Sequence, residues 1–139
     1  MNMKPLINLF ADNFTVYSKA HGYHFNVVGP DFFQYHKLFQ EVYDYLYEQH
    51  DILGELIRQN KAKVPTGLKD ICDLTVMDCE LSDPKALDMV EDLKKDLESL
   101  VMAANALYEG CADPACETVI GDYVVGINKL RWFLESTIK

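Results

Sequence analysis

The chain has 139 residues, 49% of them hydrophobic and 25% charged, which fits one globular domain with a core of its own. Its formal charge is −9, from 13 basic and 22 acidic residues. That balance argues against coating nucleic acid, which relies on Lys and Arg neutralising phosphates, and the first ten residues hold one Lys and no Arg. No apolar run approaches the roughly 20 residues needed to cross a bilayer. With no secretory leader in view, a cytoplasmic protein is expected. Cys72, Cys79, Cys111 and Cys116 are therefore expected to be reduced thiols, although Cys111 and Cys116 flank a turn and could come close.

Breaks fall at Gly29-Pro30, Pro65-Thr66-Gly67, Asp83-Pro84 and from Gly110 to Pro114. They leave four long segments, at about 4–28, 31–61, 84–109 and 114–138, each long enough for a helix. The first ends near Gly29, a residue suited to a helix C-cap. In the second, Tyr35, Phe39, Val42, Leu46, Leu53 and Leu56 recur at the spacing of one helical face. A connector follows, with a short helix expected from Leu68 to Leu74. The third segment carries Leu87, Val90, Leu93, Leu97, Leu100, Ala104 and Leu107 on one face, and Gly110 suits its C-cap. The fourth carries Val119, Tyr123, Ile127, Leu130 and Leu134. Asp83-Pro84 and Asp113-Pro114 each read as an N-cap followed by Pro at the first helical position. Strand-like alternation of useful length is absent. The pattern predicts an all-α four-helix bundle with one long crossover between its second and third long helices.

All four histidines, His21, His24, His36 and His50, lie in the first two segments. A di-iron site in the core of a single bundle needs Glu-x-x-His on two helices, and no Glu here has a His three positions on. A wheel of the second helix suggests another arrangement. With His36 at the origin, Gln40 falls near 40°, Asp51 near 60° and Glu55 near 100°, while the apolar series centres near −100°. His36, Asp51 and Glu55 thus share a stripe turned away from the core. His36 and Asp51 are about 22 Å apart along the axis, too far to share a metal within one chain. Two copies of the helix packed antiparallel about a two-fold axis would bring the His36 end of one to the acidic end of the other. His24 would lie near His36 across the Gly-Pro turn. Imidazole with carboxylate suits iron. Tyr43 and Tyr47, on the same flank, would fill the interface, where Tyr is favoured. The plainer alternative is a solvated acidic helix face, with Glu55 near Arg58 and both histidines as surface or turn residues.

The run His24-Phe25-Asn26-Val27-Val28-Gly29-Pro30-Asp31-Phe32-Phe33-Gln34-Tyr35-His36-Lys37-Leu38-Phe39 closely resembles the signature of the Dps family, the miniferritins. Asp51-Ile52-Leu53-Gly54-Glu55-Leu56-Ile57-Arg58 resembles that family's Asp-x-x-x-Glu-Arg segment with the Arg displaced, and Pro65 to Glu80 resembles its connecting helix. The resemblance implies a ferritin-like bundle with a short extra helix in the crossover. It further implies a twelve-subunit hollow shell with ferroxidase sites at two-fold interfaces. Fe(II) would be oxidised there, typically by hydrogen peroxide, and stored as ferric mineral, which protects against oxidative damage. Carried over residue by residue, His24 and His36 are ligands from one chain, and Asp51 and Glu55 from its mate. Asp113, Glu117 and Asp122 would then be candidates for the acidic pores that admit cations, although capping also explains Asp113 and Glu117.

Two positions depart from the family. Gln40 stands where an acidic residue usually follows the second His by one turn, so the site lacks one negative charge. Phe25 replaces a frequent Trp. His21, one turn before His24, could supply a nitrogen in compensation or act as a supporting group. Two rival readings follow: a shell that has lost efficient oxidation, which Gln40 favours, and a DNA-coating nucleoid protein, which the net charge disfavours. If the amide of Gln40 weakens a second metal position, Gln40→Asp should raise the Fe(II) oxidation rate on the order of tenfold and increase the iron bound per subunit. Stopped-flow absorbance and anaerobic titration measure both.

Overall fold

The computed structural model describes residues 2–79 and 84–139. Its helices are α1 (Lys4–Asn26), α2 (Phe32–Gln59), α3 (Leu68–Leu74), α4 (Ala86–Glu109) and α5 (Pro114–Thr137), with no strand among the described residues. The chain is all-α, with α3 in the crossover between α2 and α4. Short turns make α1/α2 and α4/α5 antiparallel hairpins. α1 packs on α4 and α2 on α5, while α3 lies against α1.

The apolar stripes read from the sequence meet at the centre. Phe39, Val42, Leu46 and Leu53 of α2, Val90, Leu93, Leu97 and Leu100 of α4, and Tyr123, Ile127 and Leu134 of α5 are fully enclosed. Leu87 is a correction. It sits in the first turn of α4 and remains 54% exposed, because α4 starts at Ala86 with Lys85 as its cap and not at Pro84. The predicted Asp83 cap and Glu80, the end of the predicted connecting stretch, lie outside the described residues. Asp113 caps α5 as expected: its side chain accepts from the Cys116 N–H, and Pro114 opens the helix. Gly29 is not the cap of α1. That helix ends at Asn26, with extended Val27 as its cap. Gly29 (φ 106°) and Asp31 (φ 64°) instead take left-handed conformations within the turn, a region that glycine enters freely.

Polar ties fix how the hairpins dock. Asn13 of α1, fully buried, donates to the Leu46 carbonyl of α2 at 2.8 Å and accepts from the Tyr123 hydroxyl of α5 at 2.9 Å, so one amide joins three helices. Lys19, also buried, reaches Asp92 at 2.9 Å and Asp96 at 2.7 Å on α4. Tyr23 donates to the same Asp92 carboxylate at 2.6 Å. Because late α1 meets early α4, these two helices run antiparallel. Asp12 anchors the crossover, accepting from the Thr75 hydroxyl at 2.6 Å and the Val76 N–H at 2.9 Å. None of these ties is visible as an apolar period, since each depends on a partner distant in sequence.

The expectation of four reduced thiols is overturned at one pair. Cys111 and Cys116 are joined by a disulfide across the α4–α5 turn, with their Cα atoms 5.6 Å apart. The turn brings them within bonding range, which sequence separation had suggested and the assumed compartment had argued against. Cys72 and Cys79 are thiols on the exposed surface of the crossover. Among the described residues no helix is long and apolar enough to cross a membrane.

Gly126 shows how closely α2 and α5 approach. The Tyr45 ring occupies the space that a Cβ there would need, and its hydroxyl donates to the carbonyls of Asp122 and Tyr123, both at 3.1 Å. Gly126→Ala should therefore destabilise the fold by about 1–3 kcal/mol through overpacking, read as a lower urea midpoint with an unchanged slope.

Candidate metal centre

His24, in the last turn of α1, is buried; His36, in the second turn of α2, is half-buried. The left-handed turn between the helices folds one against the other. His24 Nδ1 lies 2.8 Å from the His36 carbonyl oxygen, and His36 Nδ1 lies 2.7 Å from the His24 carbonyl oxygen. A carbonyl can only accept, so both Nδ1 atoms donate. In neutral imidazoles this leaves the Nε2 lone pairs free. The rings are stacked, with centroids 3.6 Å apart and planes 18° apart. Metal-binding histidines commonly have this preparation, one nitrogen tied to a backbone carbonyl and the other presented as a ligand.

Aromatic rings surround the pair. Phe32 stacks on His36 at 5.0 Å and Phe25 meets His24 edge-on at 5.4 Å. His21 lies between Tyr43 at 4.1 Å and Phe25 at 4.6 Å, with its centroid 6.0 Å from that of His24. Its Nδ1 is 3.2 Å from the Tyr17 hydroxyl. A hydroxyl can donate or accept, so this contact does not decide the His21 tautomer as the carbonyls do for His24 and His36. Gln40 is half-buried, one turn beyond His36. The wheel of α2 did not reveal Tyr17. The signal was present in α1, where Phe14, Tyr17, His21 and His24 follow at helical intervals of three and four.

Asp51 and Glu55 lie at the far end of α2 from His36, and both are exposed. The Asp51 carboxylate beside Glu55 raises the Glu55 pKa, first through a shared side-chain hydrogen bond and then through like charge. A cation between two such carboxylates would relieve that repulsion. Both border a shallow hollow of about 230 Å³ with Phe10, His50, Gly54, Arg58 and Val64. Arg58 donates to the Ala62 carbonyl at 2.8 Å, so its guanidinium has a partner other than Glu55. His50 stacks on Phe10 at 4.3 Å, and burial lowers its pKa. The structure thus unites His24 with His36, sets His21 beside them, and pairs Asp51 with Glu55 elsewhere. Among the described residues no three His, Cys, Asp or Glu side chains of one chain form a metal-binding group. The donor chemistry of the two halves fits a divalent metal, but each half alone is incomplete.

Residues 4–139 match the ferritin-like domain family. The chain is 28% identical over 137 residues to the DNA protection during starvation protein of Helicobacter pylori, covering 94% of each chain. Its fold superposes on the crystal structure of antigen TpF1 from Treponema pallidum with a TM-score of 0.92 at 26% identity, covering 98% of this chain and 90% of that one. The Dps protein of Vibrio cholerae gives a TM-score of 0.92 at 24% identity, over 97% of this chain and 87% of that one. That protein is described as belonging to a broad superfamily of ferritin-like diiron-carboxylate proteins. The chain belongs to the ferritin-like family. Within that family its resemblance is to the Dps proteins, as the motif around His24 and His36 implied.

The exchanged imidazole–carbonyl bonds also stabilise the α1–α2 turn without any metal. His36→Ala should cost about 1 kcal/mol in metal-free protein, because the His24 carbonyl loses its donor. Chemical denaturation in the presence of a chelator measures it.

Proposed function

We propose that the protein is a Dps-like miniferritin whose substrate is Fe(II), bound between two subunits and oxidised there, with the ferric product held in a hollow twelve-subunit shell. The observation that carries this reading is the stacked His24–His36 pair, whose Nδ1 atoms are committed to carbonyls. Supporting it are the outward acidic pair Asp51 and Glu55 on the same long helix and the family to which the chain belongs. His24 and His36 of one subunit would supply neutral nitrogens, and Asp51 and Glu55 of its two-fold mate would supply charge and oxygen. His21 would brace the aromatic wall, and Gln40 would offer a neutral oxygen where a carboxylate is usual.

Hydrogen peroxide is the proposed oxidant. Two Fe(II) each give one electron to one peroxide. The O–O bond breaks, two protons are taken up, and two waters and two Fe(III) result. Holding the irons at fixed nitrogens and carboxylates confines this reaction to the subunit seam, away from the one-electron chemistry that releases hydroxyl radicals. Asp113, Glu117 and Asp122, at and near the start of α5, would guide cations inward. A cytoplasmic location suits this role, and the acidic charge favours iron over DNA as the partner. The second reading, a shell with impaired oxidation, is favoured by Gln40, since the missing charge falls on one metal position.

Mixed assembly tests the intersubunit site. His24→Ala/His36→Ala and Asp51→Ala/Glu55→Ala proteins should each be inactive alone. Co-refolded in equal amounts, they should recover about a quarter of native peroxide-dependent Fe(II) oxidation, because half of the random two-fold pairs regain one intact site. No recovery from mixtures shown by mass spectrometry to contain both chains would overturn the shared site. A shell with native protein that binds iron at these residues yet oxidises it no faster than buffer would establish the second reading.

A further inference from the structure

We propose that Cys111 and Cys116 form a second redox site, independent of iron, in which a hydroperoxide closes the dithiol to the disulfide and an external dithiol reopens it. The two sulfurs are bonded across the α4–α5 turn, with a Cα separation of 5.6 Å that lies within the usual disulfide range. The bond encloses only Ala112, Asp113, Pro114 and Ala115. So short a loop restrains the unfolded chain less than a long one does. The hairpin also has other ties. Asp113 caps the Cys116 N–H at 2.9 Å, the Cys111 N–H donates to the Tyr108 carbonyl at 3.1 Å, and Leu107 and Ile120 on either side are buried in the core. The bond can therefore open while the fold persists.

The pair is also asymmetric, as a two-step thiol reaction requires. Cys111 is partly exposed at the end of the turn, whereas Cys116 is 2% exposed in the first turn of α5. The partly exposed Cys111 is the sulfur a peroxide can reach, and the enclosed Cys116 is held beside it to resolve the product. In the proposed reaction the Cys111 thiolate attacks one peroxide oxygen. The S–O bond forms, the O–O bond breaks, and the departing hydroxide takes a proton to become water. Cys116 then attacks the Cys111 sulfenic sulfur, the S–S bond forms, and the hydroxyl leaves with the Cys116 proton as a second water. Each sulfur gives up one electron and the peroxide accepts two. Thiol–disulfide exchange with a dithiol reverses the change.

Metal-free, full-length protein, reduced with dithiothreitol and desalted, is treated with one equivalent of hydrogen peroxide, so the outcome does not depend on the ferroxidase reading. The expected result is loss of two of the four thiols, a Cys111–Cys116 link on peptide mapping, unchanged circular dichroism, and reopening by dithiothreitol without denaturant. Cys111→Ser should abolish this fast step, and Cys116→Ser should halt at a sulfenic acid trapped by dimedone. If Cys116→Ser does not fold, the peroxide consumption rate of Cys111→Ser decides. A bond that opens only in denaturant, equal oxidation of Cys72 and Cys79, or a Cys111→Ser protein that consumes peroxide at the native rate would each overturn the proposal.

Discussion

An unbroken helix of 28 residues rises by about 1.5 Å per residue and cannot fold back on itself. α2 therefore keeps His36 and the Asp51–Glu55 pair apart by most of its length. The His24–His36 pair lies at one end of α2 and the Asp51–Glu55 pair at the other, so the proposed site that joins these two pairs must draw on two molecules. The proposed antiparallel pairing about a two-fold axis would satisfy that constraint with a single surface, because in such an interface each patch meets its own counterpart. The exposed Tyr47 and half-buried Tyr43 on the same flank give that surface an aromatic character.

The histidine end is prepared by the fold. Each imidazole uses the other's backbone as its hydrogen-bond acceptor, so the hairpin turn and the orientation of the two rings are set together. The turn brings the carbonyls within reach, the carbonyls decide the tautomers, and the tautomers leave Nε2 available. The acidic end is prepared by electrostatics. Two carboxylates one helical turn apart repel one another, which favours whatever cation arrives between them.

Behind this surface, the bundle is held in register by buried polar contacts as well as by apolar area. Asn13 links α1, α2 and α5, and Lys19 links α1 to α4 through two aspartates. Leaving such buried groups without partners is costly, so alternative dockings of the same apolar faces are penalised. The disulfide at the α4–α5 turn adds a covalent tie at the end of the chain's second hairpin. It shows that cysteine chemistry here follows local geometry rather than an assumed compartment.

Helical periodicity, the Gly-Pro turn and the Asp113-Pro114 cap were enough to derive five helices and their order, because those features depend on neighbours within a few residues. The outward stripe of His36, Asp51 and Glu55 was legible for the same reason, since a helix converts spacing into direction. The start of α4, the exposure of Leu87, the Cys111–Cys116 bond and the ties of Asn13, Lys19 and Asp12 were not legible. Each is decided by which distant backbone or side chain arrives opposite. The sequence alone determined the bundle and the residue types that could bind metal. Only the tertiary structure decided that His24 and His36 stack with their Nδ1 atoms occupied, because a hydrogen bond between residues on two helices exists only once those helices have docked.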